Sequence, residues 1–85
     1  MQKISHYNDG YSTLEVFTYD VNDVHKNSWP IISFYKNYAK DIVHRLDGPA
    51  AIFLNGKLEW WIDGEKINCS SQLEFEKILK LKVFL

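Results

Sequence analysis

Cysteine is nearly missing from this sequence: Cys69 stands alone among 85 residues. No internal disulfide can brace the fold, and a reducing compartment is the expected setting. Long hydrophobic runs are missing too. Nothing approaches the roughly 18 to 20 apolar residues that cross a bilayer, and Met1, Gln2 and Lys3 lead into no signal-like segment. A soluble protein of the cytoplasm, with no membrane partner, is expected. Neither sign of charge is in excess, with Lys plus Arg at 10, Asp plus Glu at 11 and a formal net charge of -1, so there is no broad basic field for nucleic acid. The usual catalytic signatures are lacking as well. No HExxH, GxSxG, glycine-rich phosphate loop or CxxC occurs. His6, His25, His44 and Cys69 are too scattered for zinc-site spacing. No enzyme, metal or cofactor is expected.

What the chain does have is aromatic residues, at 15%, including Trp 3, Tyr 5 and Phe 5. They matter because a single domain of 85 residues buries only about 60 to 65% of its unfolded surface and has a thin core. All four glycines follow Asp or Asn, in Asp9-Gly10, Asp47-Gly48, Asn55-Gly56 and Asp63-Gly64. These pairs are turn signals, since such positions tolerate positive φ. The last three recur every eight residues, the spacing of a β-meander. Ala50 to Leu54 and Leu58 to Ile62 should form a tight hairpin about Asn55-Gly56. Thr13 to Tyr19 and Trp29 to Tyr35 are rich in β-branched and aromatic residues and read as strands, the second beginning at or after Pro30 or lying on an edge. Residues 20 to 28 read as a polar loop, and 36 to 44 fit a helical turn or a strand equally.

Near the end the period changes. Ser71-Gln72-Leu73-Glu74 matches a capping box, so a helix over about 71 to 82 should follow. Its apolar positions Phe75, Ile78, Leu79 and Leu81 fall near 3.6 spacing. Together these elements predict a small α+β fold: an antiparallel sheet of about four to six strands, built of meanders and hairpins, with the C-terminal helix packed on one face.

The middle of the chain resembles a known repeat. His44-Arg45-Leu46-Asp47-Gly48-Pro49-Ala50, then Asn55-Gly56, then Trp60-Trp61-Ile62-Asp63-Gly64-Glu65 is similar to the HRxDGPA repeat of small phage and bacterial proteins, itself similar to MORN-type repeats and their antitoxin-like variants. The match covers about residues 43 to 67, in one clear copy. Read without the resemblance, Asp47-Gly48-Pro49 turns the chain and launches a strand, Asn55-Gly56 reverses it and Asp63-Gly64 ends the return. His44 and Arg45 are placed to hydrogen-bond to Asp47.

The aromatic residues carry the functional expectation. Trp60 and Trp61 must point to opposite faces of a strand, and one helix does not cover both sides of a sheet, so one of the two should be exposed. Phe34 and Tyr35 repeat the argument, as does the alternation of Glu15, Phe17 and Tyr19 with Leu14, Val16 and Thr18. Exposed aromatics are enriched at protein contacts. The anchors expected are Trp60 or Trp61, Phe34, Tyr35 and Tyr38, with Arg45, Lys77, Lys80 and Lys82 as a polar or nucleic-acid-contacting rim. The resemblance implies a non-enzymatic phage protein that binds and inhibits a host protein, such as a toxin or another anti-phage defence component. Two other classes remain open: a self-assembling module whose aromatic face makes a homodimer, and a small RNA-binding protein in which RNA bridges a partner.

Overall fold

A computed structural model describes residues 2–19 and 30–83, and the side chains of 4–19 and 30–81. The expected loop at 20 to 28, Trp29, the side chain of Lys82, and Phe84 and Leu85 lie outside the described residues.

Among the described residues seven antiparallel strands form one sheet, followed by one helix: β1 (Gln2–Asn8), β2 (Thr13–Tyr19), β3 (Pro30–Asn37), β4 (Ile42–Val43), β5 (Ala51–Phe53), β6 (Leu58–Ile62), β7 (Glu65–Ile67) and α1 (Gln72–Val83). The order across the sheet is β1-β2-β3-β5-β6-β7, with β4 also on β3. The strand count exceeds the expected four to six. Asp9-Gly10 was legible as a turn, but the strand before it, with Ser5, His6 and Asn8 in its seven residues, has weak intrinsic β preference and is held by pairing with β2 from Gln2↔Tyr19 to Asn8↔Thr13.

The meander follows its turn residues. Between β5 and β6, the Gly56 N–H donates to the Phe53 carbonyl at 3.0 Å and the Phe53 N–H to the Lys57 carbonyl at 2.9 Å. This is a three-residue hairpin loop rather than a two-residue one. Between β6 and β7, Asp63 (φ 48) and Gly64 (φ 83) are both left-handed, as a two-residue type I′ turn requires. The ambiguous 36 to 44 segment resolves into a turn, closed by Asp41 N–H to the Tyr38 carbonyl at 3.0 Å, and then β4.

β4 and β5 lie end to end on the edge of β3 that faces away from β2, since Tyr35 pairs with both Glu15 and Val43 while Ser33 pairs with both Phe17 and Ala51. They are two halves of one interrupted strand. At the break, the His44 N–H donates to the Phe34 carbonyl at 3.0 Å, and the Phe34 N–H donates to the Ala50 carbonyl at 2.8 Å. On the other side, Arg45 N–H bonds the Trp61 carbonyl at 3.2 Å and Ala50 N–H the Glu59 carbonyl at 2.8 Å. The chain therefore leaves the sheet after Arg45 and re-enters at Ala50. The 44–50 segment contains this excursion and the sheet-bonded residues on either side of it.

Alternation gives the sheet two faces. Leu14, Val16 and Phe34 form a buried cluster on one, with Tyr7, Ile32 and Ile52 against it. Trp60, Ile67 and Phe75 form a second cluster on the same face, with Leu46, Ile62, Cys69, Ile78 and Leu79. The helix reaches this second cluster through Phe75, which is completely buried. The hydroxyl half of the expected capping box forms, since the Ser71 hydroxyl accepts the Glu74 N–H at 3.2 Å. The Glu74 carboxylate takes the Ser70 hydroxyl at 3.1 Å. Leu81 departs from the expected apolar stripe: it is 67% exposed, while Phe75, Ile78 and Leu79 are the stripe residues that join the Trp60 cluster.

Candidate functional site

The excursion at 45 to 49 is where the chemistry-bearing residues of the central segment meet, and its polar groups bond to other parts of the chain. The Arg45 guanidinium lies 4.0 Å from the Phe34 ring centre and 5.1 Å from that of Tyr7. Its Nε donates to Asp47 Oδ1 at 2.7 Å and another nitrogen to the Pro49 carbonyl at 3.2 Å. The Tyr7 hydroxyl donates to the other Asp47 oxygen. Partial burial works to raise the Asp47 carboxyl, but the Tyr7 and Arg45 hydrogen bonds and the Arg45 charge outweigh it and hold Asp47 below its ordinary value. Gly48 is buried under this guanidinium: a Cβ there would stand 2.8 Å from Arg45 Cζ. Its φ is not left-handed, unlike those of Gly10, Gly56 and Gly64, so the expected reason for this glycine is replaced by a steric one.

His44 does not bond Asp47. It is buried, and its Nδ1 accepts the Asp63 backbone N–H at 3.0 Å, which fixes the β6–β7 turn against β4. Burial lowers its pKa, the nearby Lys36 adds to the effect and the Asp63 charge opposes it. With Nδ1 accepting, a neutral imidazole here carries its proton on Nε2. Lys36 bonds the Asp63 carboxylate at 2.8 Å. Asp9, also buried, accepts the N–H groups of Tyr11 and Ser12 at 2.9 Å and of Leu46 at 3.2 Å. The first hairpin is thereby tied to the excursion.

The opposite face of the sheet carries the second aromatic group. Phe17, 6% exposed, stacks on Tyr38 at 5.1 Å with 8° between ring planes and meets Tyr19 edge-on at 4.9 Å. Tyr38 meets Tyr35 edge-on at 5.0 Å. Tyr38 lies in a turn, yet it is held over β2 because its N–H donates to Glu15 Oε1 at 3.0 Å. Ile4, paired with Phe17, extends this group to β1 and is 49% exposed. Burial, reinforced by the Asp41 charge, raises the Tyr35 hydroxyl, which stays protonated. Farther along the same face Trp61 donates its indole N–H to Glu59 at 3.2 Å. Lys66 and Lys57 reach that carboxylate at 3.1 and 3.4 Å. Burial pushes Glu59 up, and the bonds from Lys66 and Trp61 reverse this and hold it low. Lys57 also lies 5.3 Å from the Phe53 ring centre.

The structure thus divides the expected anchors. Tyr35, Tyr38 and Trp61 share the second face. Trp60 and Phe34 are core residues, 4% and 6% exposed, so they are not surface anchors: α1 covers Trp60, whose indole N–H donates to Gln72 at 2.7 Å, and Arg45 covers Phe34. Arg45 itself is occupied, with its side chain 16% exposed. Lys77 and Lys80 are exposed on α1, which packs on the other face, whereas Lys57 and Lys66 lie on the second face beside Glu59 and Trp61. The alternation of β2 and β6 contained the signal for Phe17, Tyr19 and Glu59. Among the described residues no three His, Cys, Asp or Glu side chains converge on a metal-sized site, and no helix is long and apolar enough to cross a membrane. No protein-family model matches the chain, and neither does any curated protein or solved structure.

Proposed function

We propose that this chain is a non-enzymatic protein-binding module that inhibits a host protein by laying its aromatic sheet face over part of that protein's surface. The observation that carries the reading is the aromatic group of Phe17, Tyr35 and Tyr38 with exposed Ile4 beside it and Trp61 farther along the same face, while α1 packs on the other face. Rigid aromatics give large contact area at small entropic cost. Tyr38 is already held by Phe17 and Glu15, which reduces what binding must order. The resemblance of residues 44–50 and 60–65 to the HRxDGPA repeat supports the finer reading, a phage counter-defence protein in the host cytoplasm whose target is a toxin or another defence component.

The test is retention of a bacterial host protein by tagged protein, with and without RNase, compared with Tyr38→Ala and Trp61→Ala variants of unchanged circular dichroism. A single protein retained by the wild type, lost in both variants and inhibited in its own assay by purified wild-type chain is the expected result. Equal retention by the variants, or none by the wild type, refutes the reading. Loss on RNase treatment replaces protein recognition with RNA.

A further inference from the structure

The two edges of the sheet are unlike. β7 is three residues long and exposes Glu65 and Lys66, a short charged edge of the kind that resists pairing. β1 is seven residues long, has no proline, and keeps unbroken register with β2. Among the described residues nothing pairs with its outer side.

Which backbone groups face outward follows from one bond. The Asp9 N–H donates to the Ser12 carbonyl at 3.2 Å, and antiparallel ladders alternate bonded and non-bonded pairs. Tyr7, Ser5 and Lys3 therefore spend their backbone groups on β2, while those of Asn8, His6, Ile4 and Gln2 point away. The same alternation, carried across β2, turns the Phe34 groups away from β2, where they meet His44 and Ala50.

We infer that this edge is a dimerisation site and that its occupant is β1 of a second copy, antiparallel, with the two-fold axis at Ser5. Ser5 is the midpoint of Gln2–Asn8, so this register uses the whole strand. Gln2 then faces Asn8 of the second copy and Ile4 faces His6, and all the outward groups of both copies fall into bonded pairs. Lys3 stands opposite Tyr7 and Ser5 opposite Ser5, so no like charges meet. Half-exposed Ile4 gains a neighbour across the junction. The result is one continuous sheet through both copies. The inference is independent of the inhibitor reading.

The test is the mass of the full chain in solution, by sedimentation and light scattering, from low micromolar to near-millimolar concentration. The expected result is a shift from one chain to two. His6→Pro removes only an outward N–H, so it should keep the circular dichroism and melting of the wild type and remain a single chain. In a Cys69→Ser background, Ser5→Cys should cross-link two copies on mild oxidation, because a non-bonded antiparallel pair sets Cα atoms about 4.5 Å apart, within disulfide range. Ile4→Cys, displaced from the axis, should cross-link far more slowly. The inference is overturned by a single-chain mass at every concentration, by a dimer that survives folded His6→Pro, or by equal cross-linking at positions 4 and 5. If His6→Pro does not fold, the cysteine pair decides.

Discussion

Replacing Gly48 with alanine separates two explanations of the glycine in the central excursion. A Cβ at position 48 would meet Arg45 Cζ at 2.8 Å and its neighbouring nitrogens at 3.0 and 3.1 Å. A flexible side chain could move aside cheaply, but this guanidinium is held over Phe34 and bonded to Asp47 and Pro49. Expelling it forfeits a charge-assisted hydrogen bond of about 1.5 kcal/mol, the low end because Asp47 is partly exposed. The stacking adds about 0.5 to 1 kcal/mol. Arg45→Ala should therefore cost about 2 kcal/mol. Gly48→Ala should cost about 1 to 1.5 kcal/mol, since alanine recovers about 0.4 to 1 kcal/mol by restricting the unfolded chain. With Arg45 already removed the obstruction is gone and only that recovery remains, so Gly48→Ala should become slightly stabilising. The assay is urea unfolding of the four proteins of the cycle, followed by tryptophan fluorescence, with unchanged m-values. A Gly48→Ala cost that is the same in both backgrounds refutes the steric account and places the constraint in the backbone.

Three further outcomes are expected. His44 has a folded pKa below its ordinary value of 6.5, so the unfolded chain binds its proton more readily, and stability should be complete above that pH and fall as pH drops below it. Thermal unfolding from pH 8 to pH 5 checks this, and His44→Asn, which can keep an acceptor for the Asp63 N–H, should flatten the slope. Asp63, Asp47 and Glu59, all held low, lose their contributions only at more acidic pH. Phe75→Ala removes a completely buried helix side chain and should cost about 3 kcal/mol or more, with release of α1 visible as lost helical dichroism. Asp9→Ala strands three backbone N–H groups and should cost about 2 kcal/mol in urea unfolding, whereas Asp9→Asn, which retains one acceptor oxygen, should cost less.

Local chemistry was readable in the sequence. Asp63-Gly64 and Asn55-Gly56 mark their turns because backbone conformation there is set by those residues alone, and Ser71 caps α1 through a bond three residues away. Thr13 to Tyr19 is β2 to the residue. What depended on distant partners was not readable. β1 is a strand because β2 pairs with it, and His44 goes to the Asp63 turn only once β4 lies beside that turn. Gly48 looked like another positive-φ glycine until Arg45 was placed above it. The aromatic face was half legible: alternation separates Trp60 from Trp61 and Phe34 from Tyr35, but which member is covered follows from where α1 and the excursion fall.

The excursion also bears on how the molecule comes apart. Its bonds to the first hairpin span 37 residues from Asp9 to Leu46 and 40 from Tyr7 to Asp47, while Leu46 packs into the Trp60 cluster and its carbonyl accepts from Gln72 at 3.3 Å. Leu46 and Asp47 thus tie the two small hydrophobic clusters into one cooperative unit. Amide protons on β2 and on β6 should then exchange through a common opening, and Tyr7→Phe, which cuts the bond to Asp47 without touching the Asp9 turn, should let the β6–β7–α1 end open while the first hairpin stays closed.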